Sequence, residues 1–460
     1  MRIFVGLLAA TVTISVAGFG VTTLLVRHRL TIWENCALAW LFGTATVSVC
    51  LWIGGLLLRG IPLQITVTCL CVALGAFGFR RWRTFHEEQR TDSMNRAEIV
   101  FVALFVIELI LMFWLSFQRT LGWDGLLCWE IKARYAFLNG GVLPVAFFSD
   151  VSRWFSNPHY PLLLPLTETW FYLWIGDCDQ FWIKFIFPIW YGAAMSILLL
   201  AAEEQSGNRL VGWMIVLLFP LIPCVHDRPG GFQVGYADAP LATIYLGAVF
   251  YLLRFIRNGS RDAMVLFIAL GATLPWMKLE GVVLWATISL CGAVAIRQRR
   301  KVWTPVALSF LPGLCLIALW RIFLTSVHCL PTQDFVFPSL DILRRNIFRA
   351  GHIFRELFWQ LIDWREWDIF WLLVTMAMIG ILVRARNVRA AALISLFVAP
   401  LVCYCSVYLF SAVPDYIWHI ETSLRRLLIH LAPIAALLIA LALGPSKCGA
   451  RIEHVGTRET

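Results

Sequence analysis

Charge is what this 460-residue chain has least of: only 14% of its residues are charged, 60% are hydrophobic, and its mean hydropathy is +0.76. A chain of this composition cannot clothe a water-facing exterior in polar side chains, so a soluble globular protein is excluded. The formal charge of +10 suggests nucleic acid as a partner. However, the cations sit in short clusters between apolar runs, and no basic, aromatic-interleaved polar domain exists to hold RNA or DNA. Metal chemistry has little to stand on either. The 13 cysteines include no C-x-x-C pair and most lie inside apolar runs, where the thiol serves as a small hydrophobe. No spaced cluster of His and carboxylates appears, so no metal or other cofactor is implied.

What the chain has in quantity is apolar runs of about twenty residues, the length that crosses a bilayer as a helix. Candidate spans are residues 3–26, 33–58, 61–79, 98–117, 181–201, 209–226, 238–256, 262–277, 280–297, 303–324, 367–384, 388–412 and 425–444. The expected fold is therefore all-α, a polytopic integral membrane protein of about thirteen transmembrane helices. The runs lack the dyad alternation of a membrane barrel, and helices satisfy every backbone group internally. The first run is too long for a signal-peptide core and reads as an uncleaved helix.

Orientation comes from the short basic connections. Arg27 with Arg29, Arg80 and Arg81 with Arg83, Arg254 with Arg257 and Arg261, Arg297 with Arg299, Arg300 and Lys301, and Arg384 with Arg386 and Arg389 all read as cytoplasmic. The loop beginning at residue 118 then lies outside, and an odd number of crossings must separate it from Arg254. The aromatic stretch from Tyr160 to Ile175 would make that number even. It is expected to lie in or dip into the outer interface instead.

The resulting plan has an N-terminal three-helix membrane segment (1–97), a main membrane domain (98–444) and a cytoplasmic tail (445–460). The main domain carries outer loops 118–180 and 325–366. Loop 325–366 holds an amphipathic stretch with Leu343, Ile347, Phe354, Leu357, Phe358 and Leu361 on one face, read as a surface helix. Cys128, Cys178 and Cys329 fall outside the cytoplasm, either as free thiols or with one disulfide among them.

Most charges at helix ends fall on the outer side. They occur within recurring short strings: Trp123-Asp124 followed by Trp129 and Lys132-Ala133; His159-Tyr160-Pro161-Leu162-Leu163-Leu164-Pro165; Tyr236-Ala237-Asp238-Ala239-Pro240; Lys278-Leu279-Glu280-Gly281; and Thr422-Ser423-Leu424-Arg425-Arg426-Leu427-Leu428 with Pro433. In this order the strings resemble the membrane glycosyltransferases of the GT-C superfamily. The likeness is greatest to bacterial members related to protein O-mannosyltransferases and to the aminoarabinose transferases of lipid A. The resemblance implies a bacterial inner-membrane enzyme of the cell envelope with its site facing the periplasm. It would take a sugar from a polyprenyl-phosphate donor and move it, with inversion, to a glycan, lipid or protein acceptor outside the cytoplasm. It also implies that the first outer loop carries the acid acting on the acceptor, here Asp124, with Glu130 as a second candidate. Three extra helices precede that loop, which in the family usually follows the first helix, and Arg425-Arg426 stands where Asp-Arg is common.

Such a transfer needs a base beside the nucleophile and positive charge beside the departing phosphate. Asp124 is either that base or a helix N-cap. Glu130 is either a second acid or the partner of Arg134 in an i,i+4 pair. Lys132 is a phosphate contact or a snorkelling interfacial residue. Asp238 orients the acceptor, supports Asp124, or caps its helix. Lys278 holds the donor phosphate, or pins its turn together with Glu280. Arg425 and Arg426 bind phosphate or anchor the last helix at the interface, while His159 and Tyr160 shape the acceptor entrance or belong to the aromatic belt. The rival reading is a transporter or lipid flippase with an outward-facing polar cavity, against which no internal repeat with matched broken helices is visible.

Overall fold

The computed structural model describes residues 1–85, 96–301, 304–331, 335–384 and 388–445. The expected tail beyond residue 445, and Arg386 in the last basic connection, lie outside them. Apolar sequence with no water to bond its backbone folds here into helices. They are α1 (Arg2–Leu25), α2 (Ile32–Gly54), α3 (Gly60–Trp82), α4 (Arg96–Gln118), α5 (Ile131–Leu138), α6 (Leu163–Ile175), α7 (Ile186–Ser206) and α8 (Arg209–Leu218). After these come α9 (Asp238–Asn258), α10 (Arg261–Met277), α11 (Gly281–Arg300), α12 (Thr304–Ser326), α13 (Ala350–Ile362), α14 (Phe370–Arg384), α15 (Val388–Val407) and α16 (Tyr416–Leu443). Among the described residues no strand forms, and the only extended pairing is an isolated bridge between Phe335 and Ser411.

Among the described residues ten helical segments are long and apolar enough to cross a membrane, and the chain is a polytopic integral membrane protein. Every segment expected to cross is helical. Arg209–Leu221 and Phe370–Arg384 are, however, shorter than a full crossing, and α10 has 17 residues. The burial pattern is that of a body solvated by lipid. Ile65, Val72 and Phe77 of α3, Ile107 and Ile110 of α4, Leu308 and Ile322 of α12, and Leu372 and Met376 of α14 are all exposed. In water that much apolar surface would drive association. The centre is α9, buried along nearly its whole length, with α7, α10 and α16 packed around it.

Four of the basic connections gather at one end of this bundle. Arg81 donates to the Val26 carbonyl at 3.1 Å, Arg261 to that of Leu25 at 3.2 Å, and Arg299 to that of Arg257 at 3.0 Å. Arg254 pairs with both Glu34 and Glu204, and Arg257 with Glu204 at 2.8 Å, tying α2, α7 and α9 together. Glu34 also closes a capping box with Thr31 at the start of α2. Asp238 opens α9 and Asn258 closes it, so this basic end and the start of α9 lie roughly 30 Å apart, about one hydrocarbon thickness.

The aromatic stretch after Tyr160 departs from expectation. α6 is not laid along the surface of the bundle. Leu163 to Tyr172 are all buried, packed against α1, α2 and α5, and Trp170 donates to the Thr13 hydroxyl at 3.0 Å. Thr13 is about 16 Å along α1 from Arg2. The helix therefore dips into the bundle with protein around it, and the first two helices form that sheath. Its tryptophans pack inside the bundle because Gly6 of α1 lets the backbone at Trp174 and Ile175 approach.

α1 and α2 meet as closely: a side chain on Gly18 would collide with the Ala39 carbonyl, and one on Gly43 with that of Ile14. The amphipathic stretch of loop 325–366 forms α13 and the short turns before it. Leu357 and Leu361 pack inward while Phe354 and Phe358 stay exposed. Arg349 is not solvated, as a free surface face would have it, but donates to the Ser411 carbonyl at 2.9 Å.

Because Gly18 and Gly43 set the spacing of the α1/α2 sheath, Gly18→Leu is expected to cost about 1–3 kcal/mol through overpacking. Thermal unfolding in detergent reads this, with Thr13→Val as a milder control that loses one hydrogen bond. An unchanged midpoint for Gly18→Leu means the two helices do not pack at this distance.

Candidate functional site

Two non-helical segments bring the site together at the end of the bundle away from the basic connections. Gly122, after α4, donates its N–H to the Val234 carbonyl at 2.8 Å, and Gly125 leaves no room for a side chain against the same carbonyl. This docking lays Asp124 beside Tyr236 and the first turn of α9. From there the turn after α10 supplies Lys278 and Glu280, and α16 supplies Arg426 from its third turn. α10 ends early because Pro275 removes a helical N–H. α11 starts close by because Gly281 fits against the Leu274 carbonyl.

Asp238 is the hub. It is fully buried, and its Oδ1 accepts from Lys278 Nζ at 2.8 Å and from His430 Nε2 at 2.8 Å, while Oδ2 accepts from Arg426 at 3.1 Å. Arg426 Nη2 also reaches Asp124 Oδ2 at 2.7 Å, and its guanidinium carbon sits 4.7 Å over the Tyr236 ring. Lys278 has a second carboxylate, Glu280 Oε1, at 3.0 Å. With Nε2 of His430 donating to a carboxylate that only accepts, Nδ1 is left to accept the Tyr404 hydroxyl at 3.1 Å. Burial pulls the Lys278 ammonium down, but the Asp238 and Glu280 carboxylates outweigh it and hold it above its ordinary range.

The capping readings of both aspartates fall away: neither side chain accepts a bond from its helix's N-terminus, and both turn to Arg426 instead.

Over this network opens a cavity of about 920 Å³. Asp124, His159, Tyr160, Lys278, Glu280, Arg425 and Arg426 all line it, with Tyr236 and Tyr404. The rest of its wall is apolar, including Val283, Phe335, Val407, Phe410 and Leu427. Residues from five polar segments far apart in the chain, 118–180, 227–238, 278–280, 325–366 and 413–424, contribute. Beside it Glu366 joins Arg425 at 3.3 Å and Arg228 at 3.2 Å, and accepts from the Cys224 thiol at 3.3 Å. The Nε atoms of Arg425 and Arg426 are buried without a partner.

Three of the residues singled out from the sequence are not in the cavity wall: Asp238, sealed beneath it within the network, and Glu130 and Lys132, which belong to neither. Glu130 is buried between α5 and α6, accepting from the Tyr172 hydroxyl at 2.7 Å and from Arg134 at 3.1 Å, as an i,i+4 pair would. Lys132 is neither at a phosphate site nor snorkelling. It is fully buried and donates to the Asn157 carbonyl at 2.8 Å, with the Trp129 ring 5.1 Å away. Both stand behind the cavity wall because α5 turns its polar face toward the buried α6. Cys128, Cys178 and Cys329 are free thiols. Among the described residues no group of three His, Cys, Asp or Glu side chains is placed to hold a metal ion.

The sequence reading did not pick out His430, Tyr404 or Glu366. His430 carried a signal, since it lies one turn beyond Arg426 on the same face of α16. Tyr404, inside an apolar run, carried none. Glu366 was one of several acids in a long loop. No family model matches the chain, and neither a curated protein nor a solved structure matches it.

Two consequences are measurable. Asp238→Asn leaves Lys278 buried beside a neutral amide and is expected to cost about 3–5 kcal/mol, whereas Asp124→Asn, at a partly exposed position, should cost well under half of that; comparative unfolding in detergent decides. His159 is held down to about 4, from an ordinary 6.5, by burial first and then by Lys132 and Arg321. Between those values the unfolded chain takes up a proton that the folded chain refuses, so stability falls as pH drops from 6.5 toward 4. His159→Gln should flatten that part of the stability profile, and an unaltered slope would show that His159 is not neutral in the folded state.

Proposed function

We propose that this protein is a membrane glycosyltransferase that moves a sugar from a polyprenyl-phosphate donor to an acceptor hydroxyl, with inversion at the anomeric carbon. The observation that carries the reading is a single cavity with two chemistries in its wall, carboxylates and guanidinium groups together with a run of apolar side chains. An amphiphile with a charged phosphate head and a long prenyl tail matches that division. A small polar solute moved by a transporter has no use for the apolar wall, and the charged residues that line the cavity come from helix ends and the segments between helices.

In this reading the basic end faces the cytoplasm, the chain crosses thirteen times, and the cavity opens to the periplasmic side of a bacterial inner membrane. The crowding of Arg27, Arg81, Arg254, Arg261 and Arg299 at one end supports that orientation. Asp124 takes the proton from the acceptor hydroxyl. The freed oxygen attacks the anomeric carbon from the face opposite the phosphate, the bond from that carbon to the phosphate oxygen breaks, and the prenyl phosphate leaves with the electron pair. The guanidinium groups of Arg425 and Arg426, which line the cavity, are the groups best placed for the growing phosphate charge. Lys278, enclosed and bonded to Asp238 and Glu280, holds Asp238 in place and contributes its field more than a direct contact. Asp238 and His430 act as positioning residues, fixing the Arg426 side chain that Asp124 leans on.

Transfer of labelled sugar from a polyprenyl phosphate in purified proteoliposomes tests this. Asp124→Asn is expected to lower kcat by about 10²–10⁴-fold, the usual worth of a positioned base, with donor binding retained. Arg426→Lys keeps the charge but loses the planar fork, and should lower kcat without abolishing it. Lipid movement across the bilayer with no sugar transfer would replace the enzyme by a flippase.

A further inference from the structure

A second, smaller hollow of about 210 Å³ adjoins the cavity, and the two share His159 and Leu279 in their walls. The last turns of α12 contribute Trp320, Arg321 and Thr325, and Cys329 lies across from them. Its volume is below the roughly 300–1,000 Å³ of ordinary ligand pockets, so it accommodates one small group of a larger molecule. Arg321 is the only charged residue in its lining and has no ion-pair partner among the described residues. That sets it apart from Lys278, Arg425 and Arg426 in the larger cavity, each already paired with a carboxylate.

The other polar group has a similar vacancy. The Trp320 indole donates to the His159 carbonyl at 3.1 Å, fixing that residue's backbone, while His159 Nε2 is buried with no partner. A buried polar atom without a partner costs stability unless something fills its place. Thr325 spends its proton on the Arg321 carbonyl at 2.9 Å, so the Arg321 guanidinium is the group left to face an incoming ligand.

We infer that this hollow binds a single anionic group, a phosphate or a carboxylate, and that in the proposed transfer the group belongs to the acceptor. The last clause rests on the transferase reading; the anion site does not. Arg321 supplies the charge, and the wall shared at His159 and Leu279 joins the hollow to the cavity that Asp124 lines. The acceptor is therefore an acidic glycan or an anionic lipid headgroup, not a neutral sugar.

Cys329 reports on the hollow directly, since its thiol is free and lies in the wall. In nanodiscs of zwitterionic lipid, the rate of Cys329 modification is followed by mass spectrometry of its peptide with a negatively and a positively charged methanethiosulfonate. The negative reagent should be preferred on the order of tenfold, the effect of one unpaired charge at this range in a wet site. Arg321→Gln should abolish the preference and Arg321→Lys keep it. Inorganic phosphate or glucuronate should slow labelling if the group is soluble, whereas slowing only when phosphatidylglycerol is added assigns it to a headgroup.

Equal rates for both reagents in the native chain, or protection by none of these anions, would overturn the inference. In the transfer assay Arg321→Gln should raise the acceptor KM and leave the donor KM alone. A rise in the donor KM instead assigns the hollow to the donor and overturns the acceptor clause. A native protein that transfers no sugar at all overturns the transferase reading and leaves the labelling result standing.

Discussion

The Asp238 carboxylate, sealed inside the bundle and answered by Lys278, Arg426 and His430, is the constraint on which this end of the molecule depends. A lone carboxylate in so dry a place would not stay charged. Its three partners come from the turn after α10 and from two turns of α16, so the electrostatic requirement of one side chain draws α9, α10 and α16 to a common point. Arg426 then has one more contact to make, and it makes it with Asp124, which brings in the loop after α4. The cavity exists because these elements converge on a charge and cannot also close over it.

The opposite end has a matching device. Arg254 and Arg257 answer Glu34 and Glu204, and so bind α2, α7 and α9 where the cytoplasmic-type basic residues gather. α9 is thus pinned at both ends by buried ion pairs, and its middle is packed on all sides by apolar side chains. A helix held in this way is a rigid floor, which suits a site whose geometry must survive in a fluid bilayer.

The helices ahead of the site loop, unexplained as sequence, have a structural reason. α6 is short and amphipathic in neither sense, since nearly all of its faces are apolar or aromatic. Set into the bundle, with Leu163 to Tyr172 all buried, it needs protein cover along its length. α1 and α2 enclose it, with small residues at the crossings and Thr13 receiving the Trp170 indole. The wall behind the site loop, where Glu130 and Lys132 sit, is stiffened by the same enclosure.

Most of the secondary structure was legible in the chain by itself. Long apolar runs allow only helices in lipid, so the segments around α1 to α4, α9 and α16 were readable from composition alone, and the clustering of arginines forecast which helix ends would share a side. The sequence also marked Asp124, Asp238, Lys278 and Arg426, because a charge at the edge of an apolar run must be paired or used. It could not tell those four from Glu130 and Lys132, which have the same composition and neighbourhood, because pairing partners are chosen by packing between helices far apart in the chain. Nor could it reveal His430 and Tyr404, whose polarity is hidden in apolar runs, or the burial of α6. Those were decided in three dimensions, by the need of one enclosed carboxylate for partners and of one apolar helix for cover.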